Sequence, residues 1–234
     1  MSAFRDIKDE CFEANLLLPE YRLIDLTFGN VSVADRDKGV FAIKPSGVDY
    51  RTMRAEDMVV CDIADGRVVE GGMRYSSDTP THRRLFQAFE GIRSVVHTHS
   101  RNAVAFAQAG REIPCLGTTH ADYFHGPVPV TRFLNASEIS EAYEWETGNV
   151  IVERFREIDP RHITAVLVRG HGPFAWGLSG AKAVESAFAL EIVAEMAMKS
   201  LQLAAHAEPI PPELLDKHFL RKHGSSAYYG QPDS

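Results

Sequence analysis

A chain of 234 residues is long enough to close one hydrophobic core of ordinary size, and 44% apolar with 24% charged residues are globular values. The formal net charge of −7 gives no support to nucleic-acid or anionic-membrane binding by the whole chain, and leaves only a local cationic pocket for a small anion. Cys11, Cys61 and Cys115 are too few and too scattered for a disulfide framework or a thiolate zinc site.

No apolar run approaches the roughly 20 residues that span a bilayer. The opening MSAFRDIKDECFEANLLLPEYRL carries charge throughout, unlike a signal peptide. A reducing, cytoplasmic setting is expected. Residues 4–18 read as a first helix ended by Pro19. FAIKPSG reads as a short strand running into a turn, and MVVCDIADGRVVEG as a hairpin about Asp65-Gly66. SSDTPTHRRLFQAF supplies capping residues, an early proline and an amphipathic helix. SVVHTHS is a strand, with Ser100 placed to cap a helix over residues 101–109. ITAVLVRGHGPFAWG is strand, glycine-flanked turn and second apolar stretch. The longest helix, AKAVESAFALEIVAEMAMKSLQLAAHA, spans about seven turns, carries the pair Glu195 and Lys199, and is apolar on much of its circumference. EPIPPE breaks it, and a short polar tail with its own helical start follows. The whole is one α/β domain over residues 1–207 with a C-terminal arm over 208–234. No repeat, linker or GxGxxG fingerprint occurs.

VVHTHS places His97 and His99 at i and i+2, on one face of a strand about 6.6 Å apart. Two imidazoles so placed can converge on one ion, or form a polar strand edge. His171, between Gly170 and Gly172, is the best third ligand, and three histidines would leave a coordination position open for substrate.

Two loops suit an anion. KPSG, Lys44 to Gly47, offers an ammonium, the Ser46 hydroxyl and free backbone N–H groups. Ser76 and Ser77 lie at a helix start, where unpaired N–H groups and the helix dipole favour phosphate, although simple capping is the alternative. Asn30 can reach the same pocket. Asp122, two residues after His120, is a candidate general base or an ordinary turn aspartate. The tyrosines of AYYG are either an acid near a metal or a docking contact of the tail.

The strings GNVSVADRDKGVFAIKPSGVDY, SSDTPTHRRLFQAF, VVHTHSR, GTTHADYFHG, YEWETGNVIVE, HGPFAWG and LLDKHFLRKHGSSAYYGQ cover nearly the whole chain. Together they resemble the L-ribulose-5-phosphate 4-epimerases within the class II, metal-dependent sugar-phosphate aldolase and epimerase family. The last string separates the epimerase branch from the aldolases.

The resemblance implies a single domain of the class II aldolase type, with a central, mainly antiparallel sheet flanked by helices. It implies a divalent ion, zinc or else manganese or cobalt, on His97, His99 and His171. Phosphate would be bound by Lys44, Ser46, Gly47, Ser76 and Ser77, with Asn30 nearby. Asp78 matches an acidic position beside the metal, and Asp122 and Tyr229 match the two acid/base groups of the epimerases. Tyr229 and His218 would act across a subunit boundary in a cyclic homotetramer. One departure is Arg169-Gly170, where the family has a less basic pair. The implied reaction is cleavage of C3–C4, rotation of the aldehyde and re-addition, used in both arabinose and ascorbate breakdown. An aldolase of the same family, and a non-catalytic association module on this fold, are the competing readings.

Overall fold

The computed structural model describes residues 2–224 with Ala227 and Tyr228; Tyr229 lies outside the described residues. Seven strands form one sheet: β1 (Asn30–Asp35), β2 (Val40–Ile43), β3 (Val59–Asp62), β4 (Val68–Glu70), β5 (Ser94–His97), β6 (Ala165–Leu167) and β7 (Pro173–Gly177). Their order is β4-β3-β2-β1-β5-β7-β6, and every neighbouring pair is antiparallel. The helices are α1 (Arg5–Glu20), α2 (Thr79–Ala88), α3 (Arg101–Ala109), α4 (Thr118–Ala121), α5 (Ala136–Arg154), α6 (Gly180–Leu203) and α7 (Pro212–His223). No helix among the described residues is long and apolar enough to cross a membrane.

Strand alternation decides which helix each face receives. Val33, on one face, meets Gly180 at the start of α6, and Gly180 in turn meets Ala14 of α1. α6 thus packs on the sheet and on α1 and α3 together, as its broad apolar surface requires. Ser32, on the other face, bonds His82 of α2 at 2.7 Å. Phe41 packs on Phe86, and Trp176 on Phe89 and Phe155, so α2 and α5 cover this second side.

The hairpin about Asp65-Gly66 forms as expected, with Gly66 at φ +81°. Three expectations need correction. α1 runs through Pro19 to Glu20, because a proline in the last turn forfeits little beyond one hydrogen bond there. Ser100 takes the N-cap position of α3 but makes no capping bond. Instead Glu191 of α6 accepts the N–H groups of Asn102 and Ala103 at 2.9 and 3.0 Å, doing the capping from another helix. The 19-residue α5 is a helix that no reading of the apolar pattern located; it breaks at Ala142 (φ −152°, ψ 55°). The start of the tail is helical, and α7 docks on its own chain through buried Phe219, which packs on His125, His162 and His223.

Asn15 acts as a missing strand. β2 pairs with β1 only as far as Ser32, so the next backbone groups of β1 lack a neighbour on that side. The fully buried Asn15 side chain accepts Val31 N–H at 2.9 Å and donates to Val31 C=O at 3.0 Å. Asn15→Leu keeps the branched shape but orphans the Val31 N–H and takes a donor from its C=O. It is expected to cost about 3 kcal/mol of folding stability, measured by urea unfolding; a loss below about 1 kcal/mol contradicts this role.

Candidate active site

The antiparallel registers bring one end of β1, β2, β5, β6 and β7 to the same edge of the sheet. There Asn30 opens β1 directly opposite His97, the last residue of β5, and His97 is opposite Phe174 of β7. The loops that follow carry Lys44, His99 and His171.

His97 is locked on both sides. Its Nδ1 donates to Pro173 C=O at 2.9 Å and its ring stacks on Phe174 at 4.2 Å. This bond puts the proton on Nδ1 and leaves Nε2 as the free ligand atom. His97 Nε2 faces His99 Nε2 at 3.1 Å, and the ring of His171 lies 4.8 and 5.2 Å from those of His97 and His99. The candidate ligand atoms of the three residues all lie within 4.8 Å of one another. Two nitrogens held tetrahedrally at zinc distances are roughly 3.3 Å apart, so the donor set fits a His₃ metal site. Gly170 holds φ +74°, and a Cβ on Gly172 would come within 2.9 Å of Thr98 C=O, so the two ligand loops interlock only because these positions lack side chains.

The electrostatics favour ligation. Burial, and then the neighbouring histidines, push His171 down to about 4; the same causes lower His99. Both offer lone pairs at neutral pH. Asp78 sits beside them, accepting from Asn30 Nδ2 at 2.6 Å. Burial works to raise its pKa, but His97, His82, the Asn30 bond and His171 together hold it below the ordinary value, so it stays a carboxylate. His82, fully buried behind it, is pushed down to about 3, chiefly by burial.

The lysine end of the cleft is equally defined. Lys44 is 2% exposed, with its ammonium 4.6 Å from the centre of the Tyr50 ring and one long hydrogen bond, 3.4 Å, to Pro45 C=O. Burial pushes it down to about 8, against the opposing pull of Asp49. Such a charge is costly unless something pairs with it. Lys44, Ser46, Gly47, Ser76, Ser77 and Asn30 wall one cleft of about 300 Å³ with Asp78 and the three histidines. Ser76 is more than a cap: its hydroxyl accepts from Asn30 Nδ2 at 3.1 Å, while Asp78 occupies the N-cap position.

Sequence reasoning missed Thr27, Phe28, Tyr143 and Glu144 in this wall. Tyr143 follows the break in α5, and its hydroxyl lies 3.3 Å from His171 Nδ1. Its pKa is raised by burial and by Asp78 and Glu144, which keeps it a neutral phenol. The YEWETG string, aromatic and acidic side by side, is the only local signal of it.

Asp122 is not in this cleft. It ends α4, accepts from His218 Nδ1 at 3.1 Å and from Arg221 Nη2 at 2.9 Å, and its C=O accepts from His223 Nε2 at 3.0 Å. It lines a separate cleft of about 670 Å³ floored by Trp176. Within one chain Asp122 and the three histidines line different clefts, because α4 packs on α7 and α6. Arg169 is also absent from the histidine cleft: its guanidinium lies 4.4 Å over the Phe133 ring and against Gly110.

The depressed histidines set an acid limit. His82, His120 and His171 ionise at about 3, 4 and 4 in the fold against 6.5 for a free side chain. Between pH 6.5 and about 4 the unfolded chain therefore binds more protons than the native one, so stability is full above this window and falls as pH drops through it. The Tm of the metal-free protein should decline steadily over that range; a flat Tm contradicts the assignment.

The family model "Class II Aldolase and Adducin N-terminal domain" matches residues 9–198. An "L-ribulose-5-phosphate 4-epimerase UlaF" from Salmonella paratyphi C is 52% identical over 225 residues, 96% of this chain and 98% of that one. A solved structure titled "L-fuculose 1-phosphate aldolase" is 27% identical, covers 93% of this chain and 95% of its own, and superposes with a TM-score of 0.71. A second such aldolase, from Glaciozyma antarctica PI12, shares the fold at a TM-score of 0.74 and 18% identity, over 95% of this chain and 84% of its own. With the sheet, the histidine cleft and these matches in agreement, the chain belongs to the class II aldolase family.

Proposed function

We propose that this protein is a metal-dependent L-ribulose-5-phosphate 4-epimerase, cytoplasmic and homotetrameric. The observation that carries the reading is one cleft joining three convergent histidines to a buried lysine and two serine loops, in a chain 52% identical to a relative of that name. A divalent ion held by His97, His99 and His171, zinc by ligand type with manganese or cobalt compatible, supplies Lewis-acid polarisation of a carbonyl.

The chain's own residues do the rest. Lys44, Ser46, Gly47, Ser76 and Ser77 grip the phosphate and fix one end of the pentulose. Asn30 orients Asp78, which stays ionised and holds or returns protons beside the ligands. Removing the 4-hydroxyl proton sends the C3–C4 electron pair to carbon 3, leaving an enediolate and glycolaldehyde phosphate. The phosphate grip keeps the aldehyde in place while its carbonyl turns over, and re-addition gives D-xylulose 5-phosphate. Asp122 and Tyr229 serve as acid/base groups on opposite faces, with His218 and Arg221 aiming the Asp122 carboxylate. Because Asp122 and His218 lie outside their own chain's histidine cleft, the C-terminal arm (208–234) and α4 complete the site of a neighbouring subunit.

A second reading, cleavage without re-addition, is favoured by the 27% identical aldolase. Incubation with L-ribulose 5-phosphate separates the two: D-xylulose 5-phosphate is expected, and accumulation of free glycolaldehyde phosphate without it refutes epimerisation. The shared site has its own test. His97→Asn should lose metal and activity, and Asp122→Asn should keep metal and lose most activity. Mixing the two after subunit exchange should restore measurable turnover, since hybrid assemblies contain some intact sites. No recovery in demonstrably mixed oligomers contradicts a site built from two chains.

A further inference from the structure

We infer that Tyr143 is a positioning residue for the metal centre, its phenol oxygen accepting the Nδ1–H of His171 and so aiming that ring's Nε2 at the ion. The inference rests on the metal reading above and deepens it.

The three histidines are not held alike. His97 is locked by a backbone carbonyl and by ring stacking. His171 stands on a turn between two glycines, one with positive φ, so its own backbone constrains it least. Among the described residues, the Tyr143 hydroxyl at 3.3 Å makes the only hydrogen bond to its side chain. The two rings lie 6.1 Å apart and 33° from parallel, which also limits rotation of the imidazole. A metal-bound histidine needs its second nitrogen engaged to fix tautomer and orientation, and here a side chain does what a carbonyl does for His97.

Tyr143 is itself braced. α5 breaks at Ala142, and the segment after the break is tied down at three points. Thr147 Oγ1 donates to Tyr143 C=O at 2.8 Å, and the Thr81 hydroxyl of α2 donates to Glu144 C=O. Arg83 of α2 stacks over Trp145 at 4.6 Å. α2 follows directly on Ser76–Asp78, so the helix that presents the serine loop also fixes the residue that steers a metal ligand. Among the described residues no carbonyl is bonded to the far side of His171, which makes its aim depend on one replaceable hydroxyl.

The test titrates the metal-stripped full-length protein with Co²⁺, reading Kd by chelator competition and the d–d absorption band. Tyr143→Phe keeps the ring and removes the acceptor. It should weaken Co²⁺ binding roughly 10- to 100-fold and alter the band, while leaving the Tm of the metal-free protein unchanged. Tyr143→Gln, whose amide oxygen can accept the same N–H, should recover part of the affinity. Unchanged Kd and spectrum in Tyr143→Phe overturn the inference while the metal reading stands. Failure of the wild-type protein to bind Co²⁺ overturns both.

Discussion

The pairing of Asn30 with His97 is the constraint on which the rest of the site depends. Strand side chains alternate, so a slip of one residue between β1 and β5 would turn His97 toward the α1–α6 core and leave Val96 facing the cleft. The same register sets Asn30 beside Ser76 and Asp78 and stacks His97 on Phe174. It is defended from both sides: Asn15 satisfies Val31 where β2 stops, and Ser94 donates to Ser32 C=O at 2.7 Å. Buried polar groups with few alternatives make register an expensive thing to change.

Around that frame the cleft separates its charges. Neutral imidazoles and the ionised Asp78 occupy one end, and the Lys44 ammonium the other. Burial acts on both ends, yet the outcomes differ because their neighbours differ. Asp78 has three histidines and an amide to hold its charge, whereas Lys44 has an aromatic face and one long hydrogen bond. A ligand carrying phosphate at one end and oxygen donors at the other is the natural complement. The second acidic site, Asp122 among His218, Arg221 and His223, is built quite differently, with its carboxylate fully engaged.

Local signals survived translation into structure where local physics decides. Asp65-Gly66 specified a hairpin, Pro80 marked the first turn of α2, and HxH brought two rings together, although β5 ends at His97 and His99 comes from the loop after it. Readings failed where a distant partner decides. Nothing near Ser100 reveals that Glu191 takes over its capping, and α5 has little amphipathic signal because its break at Ala142 interrupts the period. The position of Asp122, two residues after His120 in HADYF, is set by α6 and α7, far along the chain. The three histidines, Lys44 and the two serine loops were legible as types and spacings; that they share one cleft with Tyr143 and Glu144 was not.

The interlock between the two histidine loops bears on when an ion could enter the cleft as the chain folds. His97 and His99 emerge from the ribosome long before His171, and the three meet only once β7 has paired with β5 and Gly172 has slid against Thr98. A nascent chain therefore presents two imidazoles and no cage. An ion could load only after β7 has paired with β5, and once held it would staple that late edge to the early one.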